Sequence, residues 1–463
     1  MEALDLARWQ FGLTTVVHFL FVPLSMGLSV LLAVMYSIYY RTGDAAYKRL
    51  SQFFGKLFVI NFALGTATGI VQEFQFGMNW SEYSRFVGDV FGVPLAIEAL
   101  AAFFLESTFL GLWIFGWNRI PRALHLASIW LVALGAHLSA LWILVANAFM
   151  QMPVGYTIEN GRARMTDFLA LVLSEQVQTQ VPHVLIAGLI VGGFFVLGIS
   201  AWHLLRRSHV ELFGKSLKLA LIVTTVASLA AATSGHQQAQ HVAKNQPMKL
   251  AAMEGLWETE QPAAFSLFGI IDQAGRQTLR EVKLPHMLSV LAANNTTAEV
   301  KGLNDLQREY EAKYGPGDYT PPVAITYWAF RVKVGLGMAF IALSLWGLWL
   351  WWRGRLEVSP LFLRLGLLFV FLPFVATSAG WIVAEMGRQP WVVYGLLETA
   401  AAVSLSVTPT YLWITLIGFG LLYAALVALE AYLFSRHIRE VPAPEAKPHA
   451  QPRPALPQAE PVY

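Results

Sequence analysis

Glu385 and Arg388 lie in GWIVAEMGRQPW, residues 380–391, where an apolar run takes on a carboxylate and then ends in a charged turn stopped by proline. On a helix Trp381, Glu385 and Arg388 fall at i, i+4 and i+7 and share one face. A charged acid at bilayer depth costs about 2.5 kcal/mol or more, so Glu385 must face the protein interior and meet a cation, a metal centre or a proton. A structural ion pair with Arg388 satisfies the same spacing. His18, inside LTTVVHFLFVPLSMGL, is either a hydrogen-bonded core residue or an iron ligand. Pro23, further along, is placed to kink the helix and open space beside it. VPLAIEALAAFFLESTF carries Glu98 and Glu106 about 12 Å apart along one side of a helix, with Ser107 and Thr108 adjoining. With Ser139 and Asn147 on the next apolar stretch, these groups suit a water-filled proton relay, or pairing with cations of a partner subunit.

These side chains need membrane helices to hold them. The chain is 56% hydrophobic and 13% charged, with 16 Trp, outside the range of ordinary soluble proteins. Nine apolar stretches are long enough to cross about 30 Å of hydrocarbon as helices: 11–40, 53–77, 92–117, 124–150, 180–205, 216–238, 325–352, 361–386 and 409–435. The fold class is thus an all-α polytopic membrane protein. Arg41, Lys48, Arg49 and Lys56, then Arg119 and Arg122, then Arg206, Arg207, Lys215 and Lys218, then Arg353, Arg355 and Arg364 fall in alternate loops. The opposite short loops are poor in both Lys and Arg, with Arg85 alone after span two and Arg388 alone after span eight, which puts the N-terminus outside and the C-terminus inside. MEALDLARW lacks a basic leader and a cleavage site, so the first span is expected to be retained.

Four regions follow: helices one to six in 1–238, a hydrophilic extracytoplasmic segment in 239–324, helices seven to nine in 325–436, and a Pro- and Ala-rich cytoplasmic tail in 437–463 expected to be disordered. A loop as long as 239–324 without an obvious core reads as a lid or binding loop. In it QPMKLAAMEGLWETE offers Lys249, Glu254 and Glu258 to a substrate headgroup, or forms a solvated helix laced with charge pairs. Gln72, Glu73 and Gln75 read as interfacial polarity with Trp80 as an anchor. His183 follows Pro182 close to the outer surface, and Arg331 and Lys333 sit near the same interface. The absence of cysteine excludes thiolate-held iron–sulfur clusters, covalently attached c-type haem and disulfides. The net charge of +3 is accounted for by orientation, and no nucleic-acid partner is expected.

Taken together, GKLFVINFALGTATGIVQEFQFG, PLAIEALAAFFLESTF, LVALGAHLSALWILVANAFMQ, KLAAMEGLWETE and GWIVAEMGRQPW, in that order, make the chain from about Arg8 to about Arg436 resemble subunit I of cytochrome bd quinol oxidase. The resemblance implies a terminal oxidase of the bacterial cytoplasmic (inner) membrane. It would oxidise quinol at the outer face and reduce O2 to water with protons from the cytoplasm, generating proton motive force without a pump. Two haems b and one haem d, or a third haem b, are implied. So are a second subunit, a small single-span subunit, and ubiquinol or menaquinol as donor.

By the same resemblance His18 and Glu385 are axial ligands of the two high-spin haems, and His183 is a ligand of the low-spin haem b. Lys249 and Glu254 bind quinol in the Q-loop. Lys56, Glu98, Glu106, Ser107 and Ser139 belong to a proton channel. Trp381 and Arg388 neighbour the haems, Arg388 as a partner for propionates, and Arg331 joins the cofactor-binding residues. One departure stands out: the family reads FRIMV or FRVMV where this chain reads FRVKV, so Lys333 replaces the methionine ligand of the low-spin haem. Met338 lies about 140° around the helix, a poor substitute. Either Lys333 ligates iron as a neutral amine, or it snorkels or pairs with a propionate. The segment 239–324 also resembles the short Q-loop branch. The alternative function is a haem-bearing electron-transfer or sensor subunit without oxidase activity; a transporter or channel is a more distant reading.

Overall fold

The computed structural model describes residues 2–441. Among them nine helices are long and apolar enough to cross a membrane: α1 Ala3–Thr42, α2 Ala45–Met78, α3 Ser81–Phe115, α4 Arg122–Gln151, α5 Glu175–Leu205, α6 Val210–Asn245, α7 Val323–Trp352, α8 Pro360–Met386 and α9 Pro409–Arg439. The expected all-α membrane fold is therefore present. Most helices outrun the apolar stretches that announce them. Polar residues 3–10 and 81–91 continue α1 and begin α3, because a helix needs an apolar face only where it meets lipid or core. α1 thus begins well before residue 11 and sets His18 about 22 Å from the helix start. α9 continues to Arg439, past the expected boundary at 436; the rest of the expected tail, from 442, lies outside the described residues.

Local signals fix the helix ends. Gly43 takes the left-handed conformation that closes α1. The Asp44 carboxylate then caps α2 by accepting from the Ala46 N–H at 2.9 Å. Ser174 and Thr408 cap α5 and α9 in the same way. At the centre α1 crosses α5 so closely that a Cβ at Gly27 would collide with the Gly188 carbonyl oxygen, which requires glycine there. Aromatic and aliphatic side chains of α1, α2, α5, α6 and α7 form the main core around this crossing.

Residues 246–322 correct the expectation of a loop without a core. Pro247–Glu254 is a helix buried on all sides, followed by an antiparallel hairpin, Phe265–Asp272 with Gln277–Leu284, and the helices Met287–Ala293 and Leu303–Tyr314. Met248, Trp257, Leu303, Tyr310, Tyr319 and Trp391 pack into a core of their own. Lys249 and Glu254 are therefore buried rather than solvated, and only Glu258 is exposed, where it accepts from Asn304. The interfacial reading of α2 is corrected too. Gln75 is buried and accepts from Gln10 at 3.2 Å, Gln72 donates to Thr15, and Trp80 lies in a core rather than at a lipid surface.

Candidate functional site

Glu385, on α8, is the focus of a buried polar network. Its Oε1 accepts from Asn147 at 3.0 Å and from Gln151 at 3.2 Å, one turn apart on α4, while Oε2 pairs with Arg388. Gln151 Oε1 in turn accepts from Lys249 Nζ at 2.7 Å, and Gln246 donates to the Gln151 backbone. A second branch runs from Asn147 Oδ1 to Gln180 (2.8 Å), on to Gln176 (2.9 Å) and His241 (2.8 Å). Thus both the ion pair and the interior position of Glu385 are realised. Asn147 belongs to this network and not to the acids of α3. Ser139 and Asn147 are eight residues apart, about 80° around a helix, so they face different neighbours. Gln151, Gln176 and Gln180 were missed, although amides at i, i+4 in apolar helices mark such a face.

The two histidines are held alike. His18 Nδ1 lies 2.9 Å from the Thr68 hydroxyl, which itself donates to the Gly65 carbonyl at 2.8 Å. With its one hydrogen committed, that hydroxyl accepts from Nδ1–H and leaves the Nε2 lone pair free for a metal. His183 Nδ1 stands 3.0 Å from Ser234, whose hydroxyl donates to Ala231. Beside each hydroxyl is a glycine that faces the ring: a Cβ at Gly69 would crowd His18 at 3.1 Å, whereas one at Gly235 would only touch His183 at 3.4 Å. Lys333 lies within electrostatic reach of His183, with its chain along Gly380, whereas Met338 is 61% exposed. Trp381 packs its ring against Phe19, next to His18, at 6.0 Å between centroids.

Arg331 faces Glu254, donating to Oε2 at 2.8 Å, and stacks over Tyr327 at 4.3 Å. Burial raises the Glu254 carboxyl above the ordinary value, and Arg331 opposes the rise. Lys249 is pulled down to about 7 by burial, with Arg388 adding to the effect and Glu385 opposing it.

The acids of α3 face α4 and α2. Ser139 donates to Glu98 at 2.6 Å, and Glu98 is within electrostatic reach of both Glu106 and Glu73. A π-helical turn, Glu98–Phe103, separates Glu98 from Glu106 and absorbs most of the about 80° by which residues eight apart diverge. Glu73 stays exposed, as the interfacial reading has it, and joins the α3 acids only through the electrostatic reach of Glu98. Among the described residues Ser107 donates only within its own helix, to the Phe104 carbonyl. Lys56 lines a separate cavity with His437, Arg436 and Glu440, and none of the α3 acids borders it.

The donor set suits haem. It comprises two imidazoles with free Nε2, one carboxylate, a glycine recess at Gly69 beside His18, and Arg388 Nη1, a buried donor with no partner among the described residues. A propionate would satisfy that donor.

The sequence model of cytochrome bd terminal oxidase subunit I matches residues 6–442. The chain is 52% identical to cytochrome bd ubiquinol oxidase subunit 1 of Bacillus subtilis, with 95% of this chain and 94% of that one covered. It is 38% identical to cytochrome bd-II ubiquinol oxidase subunit 1 of Escherichia coli, covering 96% and 97%. The solved bd oxidase of Geobacillus thermodenitrificans superposes with a TM-score of 0.87 at 30% identity, over 95% of this chain and 99% of that chain.

Proposed function

Because the chain belongs to the cytochrome bd terminal oxidase subunit I family, we propose that it is the haem-bearing subunit of a membrane quinol oxidase that reduces O2 to water. The observation that carries this reading is the bond from Lys249 to Gln151 and on to Glu385. It ties a buried amine in the hydrophilic segment to a carboxylate of the membrane core in two hydrogen bonds. In this reading the segment 246–322 faces outside with the N-terminus, the C-terminal end of α9 faces the cytoplasm, and the host is the bacterial inner membrane. A second subunit completes the complex, with a small single-span subunit beside it, and either ubiquinol or menaquinol fits as donor.

His18 and Glu385 would hold the two high-spin haems, His183 with Lys333 the low-spin haem b, and Arg388 a propionate; the third haem is d or b. When bound, the haems carry electrons from quinol to O2. The chain does the rest. Lys249 and the Glu254–Arg331 pair receive the quinol headgroup, and Thr68 and Ser234 fix the imidazole tautomers. Glu73, Glu98, Glu106 and Ser139 offer protons a path from the cytoplasmic side. Uptake inside combined with release outside moves charge without a pump. The test is a reduced-minus-oxidised spectrum of the purified complex together with quinol-dependent O2 consumption. Absence of haem, or haem without O2 consumption, would sink the reading.

Two consequences are measurable. A lysine in place of a thioether ligand lowers the low-spin potential, so Lys333→Met should raise the midpoint of that haem. An unchanged spectrum and potential would show that Lys333 does not ligate it. The Lys249 amine is mostly neutral above about pH 7 and then accepts a proton from the quinol hydroxyl. Quinol kcat/KM should therefore rise with pH through about 7, and Lys249→Met should flatten that rise. A wild-type profile without an inflection there would contradict the role.

A further inference from the structure

α9 is largely exposed, and the residues it buries are Leu412, Tyr423, Glu430 and His437. Three of these four are polar, in a helix whose other faces present Ile414, Leu421 and Tyr432 outward. They recur every seven residues, about 10.5 Å along the axis with about 20° of drift per step, and so form one strip. The strip faces α1 and α2. Thr415 of α9 donates to Gln10 of α1 at 2.8 Å, and His437 Nε2 donates to the Phe53 carbonyl of α2 at 3.0 Å.

The buried acids differ in how they are satisfied. Glu254 has Arg331 and a backbone N–H, and Glu385 has two amides and Arg388. Glu430 Oε1, the Tyr423 hydroxyl and His437 Nδ1 have no hydrogen-bond partner among the described residues. A carboxylate whose purpose was packing would carry such partners, because an unsatisfied acid at membrane depth is costly.

The lower end of the strip opens to water. A cavity of about 280 Å³ is lined by Lys56, Ile60, Leu433, Arg436, His437 and Glu440, room for several waters. The upper end is set by register. α1 and α9 run parallel, and eight residues beyond the paired Gln10 and Thr415 lie His18 and Tyr423, which puts the two at one depth.

We propose that His437, Glu430 and Tyr423 form a proton-uptake route along α9, separate from the acids of α3, leading from the cavity beside Lys56 to the level of His18. The proposal rests on the oxidase reading, which requires protons where O2 is reduced. A proton from cavity water binds His437 Nδ1 while Nε2–H stays on Phe53. Bridging water passes it to Glu430 Oε1, and the neutral acid passes it by water to the Tyr423 oxygen. The phenol releases its own proton on the far side. Each group returns to its starting form, and no electron moves.

The test uses the purified complex, fully reduced and mixed rapidly with O2, with a pH-sensitive dye reporting proton uptake and visible absorbance reporting the haems. Glu430→Gln is expected to slow uptake about ten-fold or more with the haem spectrum unchanged, Tyr423→Phe to slow it likewise, and Glu430→Asp to recover part of the rate. Uptake within about two-fold of wild type in both Glu430→Gln and Tyr423→Phe would overturn the route, as would loss of haem from both, which would mark a packing role. Failure of the wild-type complex to reduce O2 would instead defeat the oxidase reading, and this route with it.

Discussion

Glu385→Gln is expected to lower quinol-driven O2 reduction by about 100-fold or more and to remove one high-spin haem signal, while the low-spin band that the proposed reading gives to His183 should remain. The geometry explains the size of the effect. Asn147 and Gln151 both donate to Glu385 Oε1, so an amide nitrogen at that position would meet donors, and an amide oxygen would carry no charge to match. Arg388, only 2% exposed, would lose its counter-charge, and breaking a buried pair from one side costs about 3–5 kcal/mol. Glu385→Asp keeps the charge but withdraws it by one methylene, and should retain the ion pair with reduced haem content. Full haem content with wild-type turnover in Glu385→Gln would remove Glu385 from the ligand set.

The readability of this site in the sequence follows the reach of each signal. Spans are local, and nine apolar runs of sufficient length sufficed to find them. Their ends were underestimated at residues 81–91 and 239–245, where helices leave the hydrocarbon and need only a narrow apolar face. Glu385 and Arg388 were legible because both halves of the contact lie within two helical turns. The core of the hydrophilic segment was not. Its members, from Met248 to Trp391, are spread over more than a hundred residues, and no periodicity links them. Asn147 was assigned by proximity along the chain, whereas its rotation about α4 decides its partner. Lys56 shows the same limit. Resemblance put it with Glu98 and Glu106, but its position on α2 turns it toward α9.

The Glu254–Arg331 pair shows why two charges are buried where one would be untenable. The carboxylate is 3% exposed, accepts from the Ser266 N–H at 3.2 Å, and lies beside a guanidinium stacked on Tyr327. Arg331→Leu should destabilise this region by about 3–5 kcal/mol, read as faster proteolysis within 246–322, because Glu254 keeps its burial and loses its cation. Its carboxyl, already raised by burial, would rise further without the opposing Arg331 and protonate more readily as pH falls, so the damage should lessen at lower pH. Adding Glu254→Leu should restore protease resistance, since two apolar side chains leave no unpaired charge. It should not restore quinol oxidation if the pair holds the headgroup. A double variant that regained both would show that the pair serves the fold alone, while one that regained only stability would place the charges in substrate binding.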